Sequence, residues 1–363
     1  MKIDDLKNKL SKNPKVWFIT GVAGFIGSNL LEELLNLGQT VIGLDNLSAG
    51  YQKNLDDVQT QVGEKAWERF TFIKGDIRNI EDCKKGCADI DFVLHHAALG
   101  SVPLSIKDPI ATNESNVNGF VNMLVASRDA GVKRFIYAGS SAIYGDNSDI
   151  PKVEETIGKP LSPYALTKYV NELYADIFTA TYNIECIGLR YFNVFGPRQD
   201  PEGAYAAVIP RWIAELSNNH VPTIFGDGKT SRDFCYVKNV IEVNLLAATA
   251  ENPEAVNQVY NIACGTATTL NELYEMIRNS LISFHSEVSG IQPHYEKFRP
   301  GDVRYSEADI SKAKQFLGYV PVYDVSTGLN ETVRWFMENM SSYQNSETPR
   351  GRAATTINLP QSY

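Results

Sequence analysis

The sequence predicts an α/β protein: a doubly wound parallel sheet with a smaller α/β domain beside it. Two observations predict this. Apolar runs of strand length alternate with amphipathic segments of helix length through the first half of the chain. After Arg190 that rhythm breaks, and Gly, Pro and Asn become frequent in stretches such as NVFGPRQDPEGAY and FGDGKTSRD. The strand runs are nearly continuous in apolar residues, as strands buried on both faces require.

In chain order, a helix at 2–12 stands as an appendage before the first strand. Strands are expected at VWFIT (16–20), VIGLD (41–45), FTFIK (70–74), DFVLH (91–95), RFIYAG (134–139) and CIGLR (186–190). Helical patterns lie between them, among them FIGSNLLEELLNLG, NVNGFVNMLVASRDAG and SPYALTKYVNELYADIFTATY. The segment FCYVKNVIEVNLLAATA and the strand VYNIA are expected to return to the large domain. That domain is therefore drawn as 15–191 plus about 232–262. The smaller, substrate-binding domain is drawn as about 192–231 plus 263–340. Residues 341–363 are polar and aperiodic and read as a flexible tail.

The chain has 363 residues, of which 43% are hydrophobic and 21% charged, enough for a sizeable core. A net charge of −9 and a pI near 5.2 argue against nucleic-acid and anionic-membrane partners. Any phosphate-bearing ligand must then be held by local features. No apolar run approaches the ~18 residues of a membrane span. The charged start MKIDDLKNKLSKNPK has no apolar signal core. Cys83, Cys87, Cys186, Cys235 and Cys264 are odd in number and scattered, which fits reduced thiols and a cytoplasmic setting.

The first strand runs into GVAGFIGSN, placing Gly21, Gly24 and Gly27 at the turn into a helix. Glycine lets the backbone approach a pyrophosphate, and the helix N-terminus offers free N–H groups. The last glycine permits close helix–strand packing, a Rossmann-type arrangement. Asp45 ends the next strand, eighteen residues beyond Gly27. A carboxylate there accepts from a ribose 2′-hydroxyl and repels a 2′-phosphate, favouring NAD over NADP; its plainer role is to cap the turn DNLSAG. Asp76 and Ile77 in KGDIRN, and Ala97 and Ala98 after the paired histidines, end two further strands along the same edge. Adjacent histidines on a strand point to opposite faces, so no metal site is expected.

In LSPYALTKYVNE, Tyr164 and Lys168 stand four apart, on one helical face. That spacing alone is common on solvated helices. Its meaning comes from TGVAGFIG, GDIRN, HHAALGS, AGSSAIYG, YALTK and YFNVFGPR taken together. In this order, over about 15–340, they resemble the extended short-chain dehydrogenase/reductase family. The resemblance implies NAD, held also by Phe25, Ile26 and Asn46, and a catalytic group of Ser140, Tyr164 and Lys168. A lysine ammonium and the nicotinamide charge favour the phenolate. Tyr164 then exchanges a proton with a sugar hydroxyl while Ser140 hydrogen-bonds the reacting oxygen.

Dehydratases and decarboxylases of this family carry an acidic residue after the catalytic Ser or Thr. Here Ser141 and Ala142 stand there, and Ala142 transfers no proton. Epimerisation at C4 through a transient ketone is the simplest chemistry left, with a net dehydrogenase releasing NADH as a further reading. The resemblance places a UDP-sugar against Gly100, Ser101, Ser140, Ser141, Asn193, Val208 and Trp212. It also assigns Arg232 and Arg299 to the diphosphate, Asp302 to a ribose hydroxyl, and Ser306 to the sugar pocket. HHAALGSVPLSI, DFCYV, GAYAAVIPRW and GDVRYSEADISKA are most similar to bacterial UDP-N-acetylhexosamine 4-epimerases. Galactose-type epimerases have a bulky tyrosine where this chain has Ser306, and a serine leaves room for a 2-acetamido group.

The chain departs from that group at Gly139, Ala142, Ile143, Thr223 and Phe225. Those departures keep a UDP-uronic acid epimerase, with Ser141 or Arg304 on the carboxylate, and a UDP-glucose epimerase open. A reading of another class is an NAD-binding regulator without catalysis. The family also implies a homodimer paired through helices near 110–130 and 163–182.

Overall fold

The computed structural model describes residues 3–201, 206–298 and 303–344. Strands β1 (Val16–Thr20), β2 (Thr40–Asp45), β3 (Phe70–Lys74), β4 (Phe92–His95), β5 (Arg134–Ser140) and β6 (Glu185–Tyr191) follow the expected runs within a residue at each end. Short strands β7 (Val194–Phe195), β8 (Thr223–Phe225), β9 (Ser231–Arg232) and β10 (Cys235–Tyr236) come next, then β11 (Gln258–Ile262). The last are β12 (Thr268–Thr269), β13 (His294–Glu296) and β14 (Tyr305–Ser306).

The large sheet is seven-stranded in the order β11-β6-β5-β4-β1-β2-β3, with every pairing parallel. This is a Rossmann-type sheet, and the order reverses between β1 and β4, where the carboxyl edge opens a crevice. Its central strands are largely apolar because both faces are covered. Phe18, Val93 and Phe135 enter one core layer, while Trp17, Ile19, Leu94 and Ile136 enter the other. Leu30, Leu31, Leu34 and Leu35 of the helix Phe25–Asn36 cover one face. Phe120, Met123, Ala175 and Phe178, from Gly119–Asp129 and Pro163–Tyr182, cover the opposite face.

Beyond β6 the strands form small sheets: β10 with β7, β13 with β8, and β12-β9-β14. Trp212, Ile213, Ile224, Leu273 and Ile277 of this region belong to the same buried layer as Trp17 and Leu30. One continuous core therefore runs under both parts. The first helix, Ile3–Lys12, docks through buried Leu6 and Leu10, and Lys7 pairs with Glu33 (3.0 Å) and Glu242 (3.5 Å).

Two features differ from the sequence reading. The last helix, Val325–Gln344, runs past 340 into the stretch read as a tail, where no Gly or Pro stops it. The long helix expected around 116–131 is broken by a π-helical turn, Glu114–Asn118, a change of pitch that leaves no compositional mark. Residues 345–363 lie outside the described part.

Candidate active site

The glycine loop is shaped by contacts that leave no room for a side chain. Gly21 has φ 71°, and a Cβ there would lie 2.8 Å from the Ala97 nitrogen. At Gly27 a Cβ would lie 2.1 Å from the Gly21 carbonyl oxygen, so the helix Phe25–Asn36 sits directly on the end of β1. Asp45, at the end of β2, accepts from the Ala23 N–H (2.9 Å) with one oxygen and the Leu47 N–H (2.8 Å) with the other. It thus caps its turn as well as bordering the crevice. Burial pushes its carboxyl upward, against those two bonds. Each oxygen, having taken one N–H, keeps a lone pair for a hydroxyl.

Asp76 behaves oppositely. Arg78 binds its carboxylate at 2.7 Å and Asn46 donates to it at 2.9 Å, holding its pKa down to about 2. His95 and His96 do face different ways. His95 Nδ1 meets the Thr20 hydroxyl at 2.9 Å, and His96 Nε2 meets the Tyr191 hydroxyl at 3.0 Å. Burial holds His96 down to about 3, so the ring beside the crevice is neutral.

Gly21, Gly24, Phe25, Ile26 and Gly27 line one cavity of about 360 Å³, together with Asp45, Asn46, Asp76, Ile77, Ala97 and Ala98. Ser140, Tyr164, Lys168 and Gly100 line its other end. Ser140 terminates β5, and its Oγ accepts from the Ala142 N–H at 3.2 Å. Ser162 caps the helix Pro163–Tyr182, accepting from the Ala165 N–H, so Tyr164 falls in the first turn and Lys168 in the next. The Ser140 side chain neighbours the Tyr164 phenol and favours its ionised form. Lys168 Nζ donates to the Ala138 carbonyl at 2.8 Å, and burial pulls its pKa down to about 8.

In the chain itself burial raises the Tyr164 phenol, outweighing the Ser140 side chain. The sequence reading joined Lys168 with the nicotinamide charge in acidifying this phenol, and the chain alone does not lower it. The ammonium is engaged by a carbonyl, and the remaining charge must come with the cofactor.

Sequence reasoning missed Asn116. It sits in the π-helical turn, accepts from the Leu99 N–H (2.8 Å), and donates to the Leu99 carbonyl (3.1 Å) and Thr167 Oγ1 (3.2 Å). One amide thereby ties the loop after β4 to the helix bearing Tyr164. Ser48, Ser115, His96, Tyr191 and Val194 also line the cavity and were not anticipated. Of these, only His96 had drawn notice from its pattern.

Residues 17–263 match the model of the NAD dependent epimerase/dehydratase family. The chain belongs to that family. Its cofactor is NAD, and the cradle of glycines and the buried Asp45 fit a dinucleotide. A UDP-glucose 4-epimerase of Mycolicibacterium smegmatis is 33% identical over 321 residues, 88% of this chain and 97% of that one. A UDP-N-acetylglucosamine 4-epimerase of Methanobrevibacter ruminantium, solved with UDP-N-acetylmuramic acid, is 39% identical with a TM-score of 0.82. That match covers 90% of this chain and 99% of the other. A UDP-glucuronic acid 4-epimerase of Bacillus cereus, solved with UDP-glucuronic acid and NAD, is 31% identical with a TM-score of 0.77, covering 89% and 99%. With these relatives the chain is an NAD-dependent nucleotide-sugar 4-epimerase, an isomerase.

The residues expected on the sugar side are more scattered. Ser101 caps the helix Val102–Lys107 by accepting from the Leu104 N–H. Ser141 is half-buried just past Ser140. Asn193 is exposed and donates to the Asp233 carbonyl at 3.2 Å. Val208 opens the helix Val208–Ser217, half-buried. Arg232 on β9 and Ser306 on β14 are partners in register, so the two lie side by side. Trp212 corrects an expectation. It is 1% exposed and stands edge-on to Tyr274 inside the core, with no face open to a sugar. Arg299 and Asp302 lie outside the described residues. No helix among the described residues is long and apolar enough to cross a membrane.

Proposed function

We propose that the chain interconverts UDP-N-acetylhexosamines, UDP-GlcNAc and UDP-GalNAc, at C4. The observation that carries this reading is Ser306. It is a small, half-buried side chain beside Arg232, where galactose-type epimerases carry a tyrosine. In this reading Arg232 supplies a local positive group for the diphosphate of a substrate that the acidic chain otherwise repels. NAD, which the Gly21–Gly27 loop and Asp45 would hold, would supply the hydride chemistry at the sugar carbon. Tyr164 takes and returns the hydroxyl proton, Ser140 holds the oxygen, and Lys168 keeps a positive charge behind the phenol. Ala142 offers no second proton-transfer group, which favours return of the hydride over elimination.

For the uronic acid reading, a substrate carboxylate at Arg304 would compete with Asp227, which its Nη2 already meets at 2.7 Å, while its Nε donates to the Tyr305 hydroxyl at 2.9 Å. Incubation with UDP-GlcNAc, UDP-GlcNAcA and UDP-Glc separately, followed by NMR of the products, is the test. Epimerisation of UDP-GlcNAc in preference to the other two is expected, and preference for either rival overturns the assignment.

The same reading includes a homodimer. Leu166, Leu173 and Ile177 are 52%, 44% and 57% exposed on the helix Pro163–Tyr182, on the side opposite Ala175 and Phe178. With Ile106 and Ile110 they form an apolar face that a second copy of the same face would cover. Light scattering should report a dimer for the native chain and a monomer for Leu173→Glu/Ile177→Glu. A native monomer removes this part.

A further inference from the structure

Asn261 lies on β11 with 0% exposure, and its side-chain amide is fully engaged. Its Oδ1 accepts from the Tyr144 hydroxyl at 2.6 Å. Its Nδ2 donates to the Lys152 carbonyl at 2.9 Å and the Asp309 carbonyl at 3.1 Å. Its backbone N–H donates to Glu154 Oε1 at 2.8 Å. A buried amide is retained only where its partners are in place, since each orphaned group costs about 1–3 kcal/mol.

The partners are not a random sample of the fold. Tyr144 closes the turn that begins at Ser140, and Arg190 donates to its hydroxyl at 3.0 Å. Arg190 also grips Glu172, one helical turn beyond Lys168, at 2.9 and 2.8 Å. That side of the amide therefore belongs to the catalytic group. Asp309 follows Ser306 by three residues in a segment that runs beside Lys152. Lys152 N–H donates to Glu307 O at 2.8 Å, and Asp309 N–H donates to Lys152 O at 2.9 Å. That side belongs to the sugar-facing segment. Among the described residues no strand pairing joins β14 to the large sheet, and the link between them runs through the Lys152 segment and the Asn261 side chain.

We propose that Asn261 is a positioning residue that fixes the sugar-facing segment around Ser306 relative to the Ser140 turn. The proposal rests on the epimerase reading above and adds to it the residue that holds catalytic and sugar-facing parts in register. The two arms of the amide are separable. Asn261→Asp keeps an oxygen for the Tyr144 hydroxyl but cannot donate to two carbonyls when ionised. Tyr144→Phe cuts the catalytic arm and leaves both carbonyl bonds.

The experiment measures steady-state kinetics on UDP-GlcNAc at pH 8 for both NAD-loaded variants, with hydrogen exchange at the Lys152 and Asp309 amides. For Asn261→Asp, KM should rise on the order of 10-fold with kcat nearly kept, and both amides should exchange faster. For Tyr144→Phe, kcat should fall by roughly 10-fold with KM nearly kept and both amides still protected. Equal effects on kcat and KM in both variants, or no effect in either, overturn the proposal. Should Asn261→Asp fail to fold, Tyr144→Phe decides alone: a KM effect, or faster exchange at Asp309, sinks it. Should the wild-type chain epimerise none of the sugars, the functional reading fails separately. The exchange pattern of the two variants then still accepts or rejects the positioning role.

Discussion

The cofactor cradle and the strands proposed to face the sugar are built by different means. The cradle is a matter of backbone clearance around one short loop. Gly21 and Gly27 are crowded by Ala97 and by each other, and Asp45 is fastened to the same loop through the Ala23 N–H. The proposed sugar side gathers residues 193, 208, 232 and 306 from distant segments, with strands only two or three residues long among them. What holds them is a set of buried polar side chains bound to backbone. Asp233 accepts from the Cys264 and Gly265 N–H groups at 2.8 and 2.9 Å and from Ala308 at 3.4 Å. Local clearance leaves a motif in the sequence, whereas long-range fastening leaves single polar residues that look like any others.

The sharpest way to separate the two regions is to remove the chemistry while leaving the cradle. Tyr164→Phe deletes one hydroxyl at the boundary between them. It should lower kcat by about 10²–10⁴-fold, the usual worth of a general acid–base group. Bound NAD, followed by absorbance and by its release on denaturation, should stay at the wild-type level. A variant that loses cofactor and activity together would mean that the two regions are not separable at this residue.

The same difference governs what was legible in advance. The six long strands and the glycine loop were readable because a doubly covered strand is apolar throughout and a crowded turn admits only glycine. Asn116 was not, because its role depends on a π-helical turn that brings it to Leu99 and Thr167. Trp212 was set against the sugar by the resemblance alone, and the folded chain buries it in the core. Asn261 and Asp233 stand in ordinary strand and turn contexts, YNIA and RDF. Only the folded chain reveals what they fasten.

Electrostatics sharpens the comparison, since an aspartate in each region is strongly perturbed and the two shifts are opposite. Asp76 in the cradle is held down to about 2 by Arg78, whereas burial pushes Asp233 up to about 6 despite its backbone donors. Between about pH 4 and 6 the folded chain therefore keeps a proton on Asp233 that the unfolded chain has released. The folded state loses stability from this group as pH rises through that window, and nothing more changes above it. An asparagine side chain cannot titrate, so the stability of the wild type relative to Asp233→Asn should fall from pH 4 to 6. The fall should be on the order of 2–3 kcal/mol. Thermal or urea unfolding of both proteins at several pH values tests it; parallel curves would show that Asp233 is not strained by burial.

The smallest expected effect is the one that bears on substrate choice. Ser306→Tyr places a ring beside Arg232 on strands that are already in register, so the fold has no reason to change. A ring there competes for space with a 2-acetamido group and not with a 2-hydroxyl. Pocket differences of this size are worth about 1–3 kcal/mol, or roughly 10–200-fold in kcat/KM. The variant should therefore lose on the order of 10-fold on UDP-GlcNAc while UDP-Glc turnover is nearly kept. The ratio of the two kcat/KM values is the quantity to measure, because it cancels any common loss from altered packing. An unchanged ratio would move the specificity determinant away from β14 and leave that strand a purely structural part of the sugar side.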